Sequence, residues 1–107
     1  MIEINSVNNP TIKSLRKLEQ KKYRKKTQTY LIEGFHLVEE ALKNHENYLY
    51  ILGTSAALVK LTAHYKLKDD KVIQITDAIA EHLSSTKNSQ DIFMVLPINQ
   101  PKSFKIG

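Results

Sequence analysis

The stretch "YLIEGFHLVEEAL", Tyr30 to Leu42, changes its hydrophobic period within thirteen residues. Tyr30-Leu31-Ile32-Glu33-Gly34 is a β-prone apolar run closed by a glycine, which reads as a short buried strand. Leu37, Val38, Ala41 and Leu42 then recur at helical spacing. A strand, a tight corner and a helix in this order form the repeating unit of an open α/β sheet.

The unit recurs downstream. Tyr48 to Leu52 reads as a strand ended by Gly53, and Thr54 or Ser55 can cap a helix carrying Leu58, Val59 and Leu61. Val72 to Ile75 makes the next strand, with Thr76 or Asp77 as cap and Ile79, Ala80 and Leu83 as the buried face of its helix. Ser84 to Gln90 is a polar loop, and Ile92 to Leu96 a further strand. Strands alternating with short helices require crossover connections, so the pattern predicts a three-layer α/β/α sandwich around a mostly parallel sheet. The chain of 107 residues is one domain, long enough to bury about two thirds of its unfolded surface.

Upstream, Asn8 and Asn9 precede Pro10, which suits a first helical position because its missing N–H has no partner there. Ile12, Leu15 and Leu18 follow as a narrow apolar stripe, and Thr27 to Thr29 ends the pattern; the spacing predicts a basic helix over about 9–24. Within "KSLRKLEQKKYRKK", Lys13 to Lys26, eight basic side chains meet one acid, Glu19. On a continuous helix Lys13, Lys17, Lys21 and Arg24 fall in one arc opposite Leu15, with charges about 6 Å apart, near the spacing of successive phosphates. The formal charge of +5 is concentrated here: residues 1–32 hold eight Lys or Arg against Glu3 and Glu19, and residues 33–107 hold eight against nine acids. Such asymmetry fits a polyanion grip, because a local field is what attracts a polyanion. The alternative is a solvated helix face, although a purely solubilising helix mixes its signs for i,i+4 support.

Other chemistries find little footing. The chain has no cysteine, which excludes disulfides and thiolate metal sites. No pair among His36, His45, His64 and His82 has metal-ligand spacing with a supporting carboxylate, and no nucleophile elbow, glycine-rich phosphate loop or dinucleotide fingerprint is present. No catalytic residue and no metal ligand is therefore assigned. The opening "MIEINSVNNP" has no apolar signal core, and the longest apolar run, Ile92 to Leu96, is too short to span a bilayer; a soluble, cytoplasmic protein is expected. The corner Glu33-Gly34-Phe35-His36 stands at the carboxyl end of a strand, where open α/β sheets collect ligands. On geometry alone the plainer reading is a glycine supplying positive φ beside a core phenylalanine.

Taken together, "NNPTIKSLRKLEQKKYRKK" and "YLIEGFHLVEEAL" closely resemble the amino-terminal substrate-binding domain of the SpoU or TrmH family of RNA methyltransferases. Asn9, Pro10, Ile12 and Lys13 match that family's Asn-Pro-x-Ile-Lys opening. Arg24 and Lys26 match its basic segment, and Glu33, Gly34, Val38 and Glu39 match its strand corner and the helix that follows. "STKNSQDIFMVLP", Ser85 to Pro97, is similar to a later motif, with Ser89 where proline is usual and Asp91 where glycine is usual.

The resemblance implies a fold similar to the ribosomal proteins that bind kink-turns. It also implies an RNA-recognition role within an enzyme that methylates a ribose 2′-hydroxyl of ribosomal RNA, ahead of transfer RNA. Residues 1–96 would form the RNA substrate-binding domain. "PINQPKSFKIG", residues 97–107, would be a linker to an absent carboxyl-terminal SPOUT methyltransferase domain, the part that binds S-adenosylmethionine and through which a homodimer could form. The expected RNA-binding residues are Lys13, Lys17, Lys21, Arg24, Lys26, Glu33, Gly34, His36, Lys87 and Asn88. The alternatives are a stand-alone kink-turn-type RNA-binding protein and a protein-interaction domain whose basic segment meets an acidic partner.

Overall fold

A computed structural model describes residues 1–87 and 89–98. The elements run β1 (Ile2–Ile4), α1 (Pro10–Arg16), a 3-10 turn (Lys17–Glu19), α2 (Lys21–Thr27), β2 (Thr29–Glu33), α3 (Phe35–Lys43), β3 (Tyr50–Gly53), α4 (Ser55–Thr62), a second 3-10 turn (Asp69–Lys71), β4 (Val72–Ile75), α5 (Asp77–Leu83) and β5 (Ile92–Pro97). The expected strands are all present. Added to them is β1, a run of three residues too short to register as a period.

The five strands form one sheet in the order β1-β4-β3-β5-β2. β1 and β3 pair parallel to β4, whereas β5 pairs antiparallel to both β3 and β2. Four strands therefore point one way, and β5 alone runs against them. Its Ile92–Leu96 run is buried on both faces, which explains the uninterrupted apolar sequence. β2, expected as a buried strand, is an edge strand, and none of its residues is fully buried.

Helices cover both faces, as the sandwich requires. On one, Ile12, Leu15 and Leu18 join Ile79, Ala80 and Leu83 of α5 over Leu52, Ile73, Phe93 and Val95. On the other, Val38 and Ala41 of α3 and Leu58 and Leu61 of α4 pack on Ile51, Val72, Ile92, Met94 and Leu96. Each fully buried side chain of this size contributes about 1.5–3 kcal/mol. Leu37 and Val59, which share the helical apolar pattern, stay 47% and 67% exposed.

The caps follow the sequence. The Asn9 side chain accepts from the Thr11 N–H, Thr54 from Ala57 and Thr76 from Ile79. Beyond β5, the Ile98 N–H donates to the Gln28 carbonyl at 2.9 Å, so sheet pairing outlasts the expected boundary at residue 96. The rest of the expected linker, 99–107, lies outside the described residues.

The basic helix is not continuous. Gln20 leaves helical geometry at φ −96° and ψ 132°, and the segment becomes α1, the first 3-10 turn and α2, which together form an elbow. Helical geometry supplies the reason. At about 100° per residue, Leu15 and Leu18 lie about 60° and 120° round from Ile12, and an unbroken helix would turn Glu19 and Lys22 into that same arc. The break keeps both charges out of the core, and both are exposed.

The two strand-ending glycines serve different needs. Gly34 has φ +106°, a conformation that L side chains rarely adopt. Gly53 is required for space, because a Cβ there would lie 2.8 Å from Ile92 Cδ1 and 3.1 Å from two Leu58 carbons. Gly53→Ala is expected to lower unfolding stability by about 1–3 kcal/mol in urea titration, the range for overpacking a filled core.

Candidate RNA interface

The β2–β5 ladder builds the site. It sets Glu33 opposite Phe93, so the loop between α5 and β5 lands beside the corner between β2 and α3. Three bonds hold the two together: the Gly34 N–H donates to the Ile92 carbonyl at 3.0 Å, the Phe35 N–H to Gln90 Oε1 at 2.8 Å, and the Ser84 hydroxyl to Glu33 Oε2 at 2.6 Å. The two loops thus meet at one end of the sheet. Glu33 acts as an acceptor where they meet.

Ser89 and Asp91, the two departures from the family pattern, are accommodated locally. Asp91 adopts φ +62°, the left-handed region in which a glycine is free and an aspartate tolerated. The Ser89 hydroxyl accepts the Asp91 N–H at 3.0 Å and closes the turn, and the Asp91 carbonyl accepts from the Thr54 N–H.

An open groove of about 900 Å³ runs from this corner along β2 to the elbow, lined by Leu18, Glu19 and Arg24 on one side and by Tyr30 to Gly34, Leu37, Ser85, Thr86 and Gln90 on the other. Arg24 is turned inward. Its Nη1 donates to the carbonyls of Leu18 at 2.8 Å and Glu19 at 2.9 Å, satisfying acceptors left open where the helix breaks. The stripe of Lys13, Lys17, Lys21 and Arg24 on one helix is therefore replaced by two lysine groups on either side of a bend. Lys13 and Lys17 precede the bend, and Lys21 and Lys26 follow it; all four are exposed. Lys17 and Lys22 lie over the Tyr23 ring, 5.3 Å and 5.1 Å from its centroid. Arg16 is engaged with Glu19 at 2.7 Å.

Of the expected residues, Arg24, Glu33 and Gly34 line the groove, Lys13, Lys17, Lys21 and Lys26 sit on the elbow without lining it, and His36 and Lys87 line other clefts. His36 is exposed on α3, 3.8 Å from Glu40, in a shallow cleft with Glu39 and Lys43. Lys87 lines a separate cleft with Asp77, Glu81 and Asp91. Asn88 lies outside the described residues. Tyr30, Leu37 and Gln90 are groove residues absent from the sequence expectation; the apolar run of β2 marked a strand without saying that it would lie at an edge. Among the described residues, no group of three His, Asp or Glu side chains could hold a metal ion, and no helix is long and apolar enough to cross a membrane.

Fold, groove and basic elbow fit a substrate-binding domain of the kind the sequence resembles. Residues 9–94 match the model of the MRM3-like substrate-binding domain, and the chain belongs to that family. It is 57% identical over 44 residues to the 23S rRNA (guanosine(2553)-2′-O)-methyltransferase RlmP of Bacillus subtilis, a match covering 41% of this chain and 18% of that protein. The fold is similar to that of an RNA 2′-O ribose methyltransferase, with a TM-score of 0.76 at 22% identity over 94% of this chain and 39% of the other. It is similar also to the AdoMet-bound rRNA methyltransferase of Sinorhizobium meliloti, with a TM-score of 0.73 at 23% identity over 91% of this chain and 36% of the other. The chain thus matches less than two fifths of the length of each of these proteins.

Two expectations follow from the bonds that shape the groove. Arg24→Ala is expected to cost about 1–2 kcal/mol in urea unfolding, with Arg24→Lys recovering little, since a lysine does not reproduce the planar guanidinium donors. Gln90→Ala should raise the amide exchange rate of Phe35 about tenfold at unchanged global stability, while Gln90→Glu, which keeps an acceptor, restores protection.

Proposed function

We propose that this chain is the RNA-recognition domain of an S-adenosylmethionine-dependent RNA 2′-O-ribose methyltransferase. The observation that carries the reading is the seating of an exposed lysine elbow beside the loop-clamped corner of β2, within a chain of the substrate-binding family. Lysines at a bend can follow a curved phosphate backbone, and the corner and its partner loop offer a shaped surface to folded RNA. The name of the Bacillus relative, a 23S rRNA enzyme, supports ribosomal over transfer RNA as the substrate class.

Cofactor binding and methyl transfer would then belong to the remaining three fifths or more of a protein built like these relatives, which is also where a homodimer would form. The AdoMet-bound Sinorhizobium enzyme supports that division of labour. The proteins matched are RNA-modifying enzymes, which favours an attached enzyme over a stand-alone kink-turn binder and fits a cytoplasmic setting.

Binding to a ribosomal RNA fragment should weaken steeply with salt, because each neutralised phosphate releases counterions. Replacing Lys13, Lys17 and Lys21 together by Ala should reduce the slope of log affinity against log salt by about 2 to 3. Unchanged affinity and slope in the triple variant would make the elbow a solvated surface. The inward turn of Arg24 keeps it out of this test.

A further inference from the structure

We propose that the groove between the elbow and β2 is a slot for one unpaired nucleobase, read by the main-chain N–H and C=O of Leu31; this rests on the RNA-binding reading above. The ladder parity gives the first reason. Gly34 bonds to Ile92 and Ile98 to Gln28, so the hydrogen-bonded pairs of the antiparallel ladder fall on the even residues of β2. Leu31 and Glu33 therefore direct their main-chain groups toward the free edge, and among the described residues these groups have no partner. The groove runs along this edge, with Tyr30 to Gly34 in its lining. A strand residue presents its donor and acceptor side by side, as does the Watson–Crick edge of adenine with N6–H and N1.

The charges give the second reason. Within the groove Arg24 donates to two carbonyls, Glu19 pairs with Arg16, and Glu33 accepts from Ser84. That lining suits a flat, uncharged base better than a phosphate, whereas the exposed lysines of the elbow suit phosphates. Tyr30 and Leu37, 36% and 47% exposed, line the same groove and offer an aromatic and an aliphatic surface against which a base can pack. Unstacked bases are also the part of RNA that proteins read by sequence.

The test uses the isotope-labelled 107-residue chain and two RNA hairpins, identical except that one carries a single bulged adenine. The bulged hairpin should bind about tenfold more tightly, as one base–aromatic stack provides, and should shift the Leu31 amide resonance, which the paired hairpin leaves in place. Leu31→Pro removes an N–H that lies outside the ladder, a substitution an edge strand tolerates, and should abolish the preference while keeping affinity for the paired hairpin. Tyr30→Ala should also abolish it and Tyr30→Phe should retain it, which keeps the test decisive if the proline variant does not fold. Equal affinity for the two hairpins, with only the amides of residues 13–26 shifting, would overturn the slot and leave RNA binding standing. Failure of both hairpins to bind would overturn both readings.

Discussion

The site depends on the insertion of β5, against the common direction, between β3 and β2. A parallel crossover would have carried the segment after α5 away from the end of β2. The antiparallel pairing instead returns it from the same end, so that the loop preceding β5 meets the corner following β2. The burial of Ile92 to Leu96 on both faces of the sheet fixes this arrangement energetically. A slip of one residue would turn each of these side chains toward the opposite layer. The register that holds the core together therefore also sets the distance between the Gln90 amide oxygen and the Phe35 N–H.

The same constraint makes β2 an edge strand. Edges usually carry a cost, since open main-chain groups invite pairing with another chain. Here the elbow runs alongside, with Arg24 anchored to the carbonyls at its bend, and leaves a groove too restricted to read as a bare edge. Stability and access are balanced in one place. The guanidinium expected to meet a phosphate shapes the wall of the groove instead.

Most of the architecture was legible because it is written in local periods. The strands before Gly34 and Gly53, the caps at Asn9, Thr54 and Thr76, and the buried faces of α3 and α5 follow from spacing and cap chemistry. The order and direction of strands were less legible, because a continuous apolar run such as Ile92 to Leu96 reads the same in either direction. The elbow was missed for a different reason. Its segment has neither proline nor glycine at the break, and only the angular position of Glu19 and Lys22 relative to Ile12, Leu15 and Leu18 carries the signal. Among the site residues, the corner was visible as a motif, whereas the roles of Tyr30, Arg24 and Gln90 arise from contacts made across the fold.

The pair of lysines over Tyr23 has an entropic consequence. A free lysine gives up as much as about 2 kcal/mol of rotameric freedom when it is fixed against a ligand. Lys17 and Lys22, already resting against one ring, have surrendered part of that freedom during folding, in exchange for contacts of about 0.5–1 kcal/mol each. The ring thus acts as a template that spaces two ammonium groups before any phosphate arrives. Removing its aromatic surface would leave the charge of the elbow intact while making that charge more costly to organise.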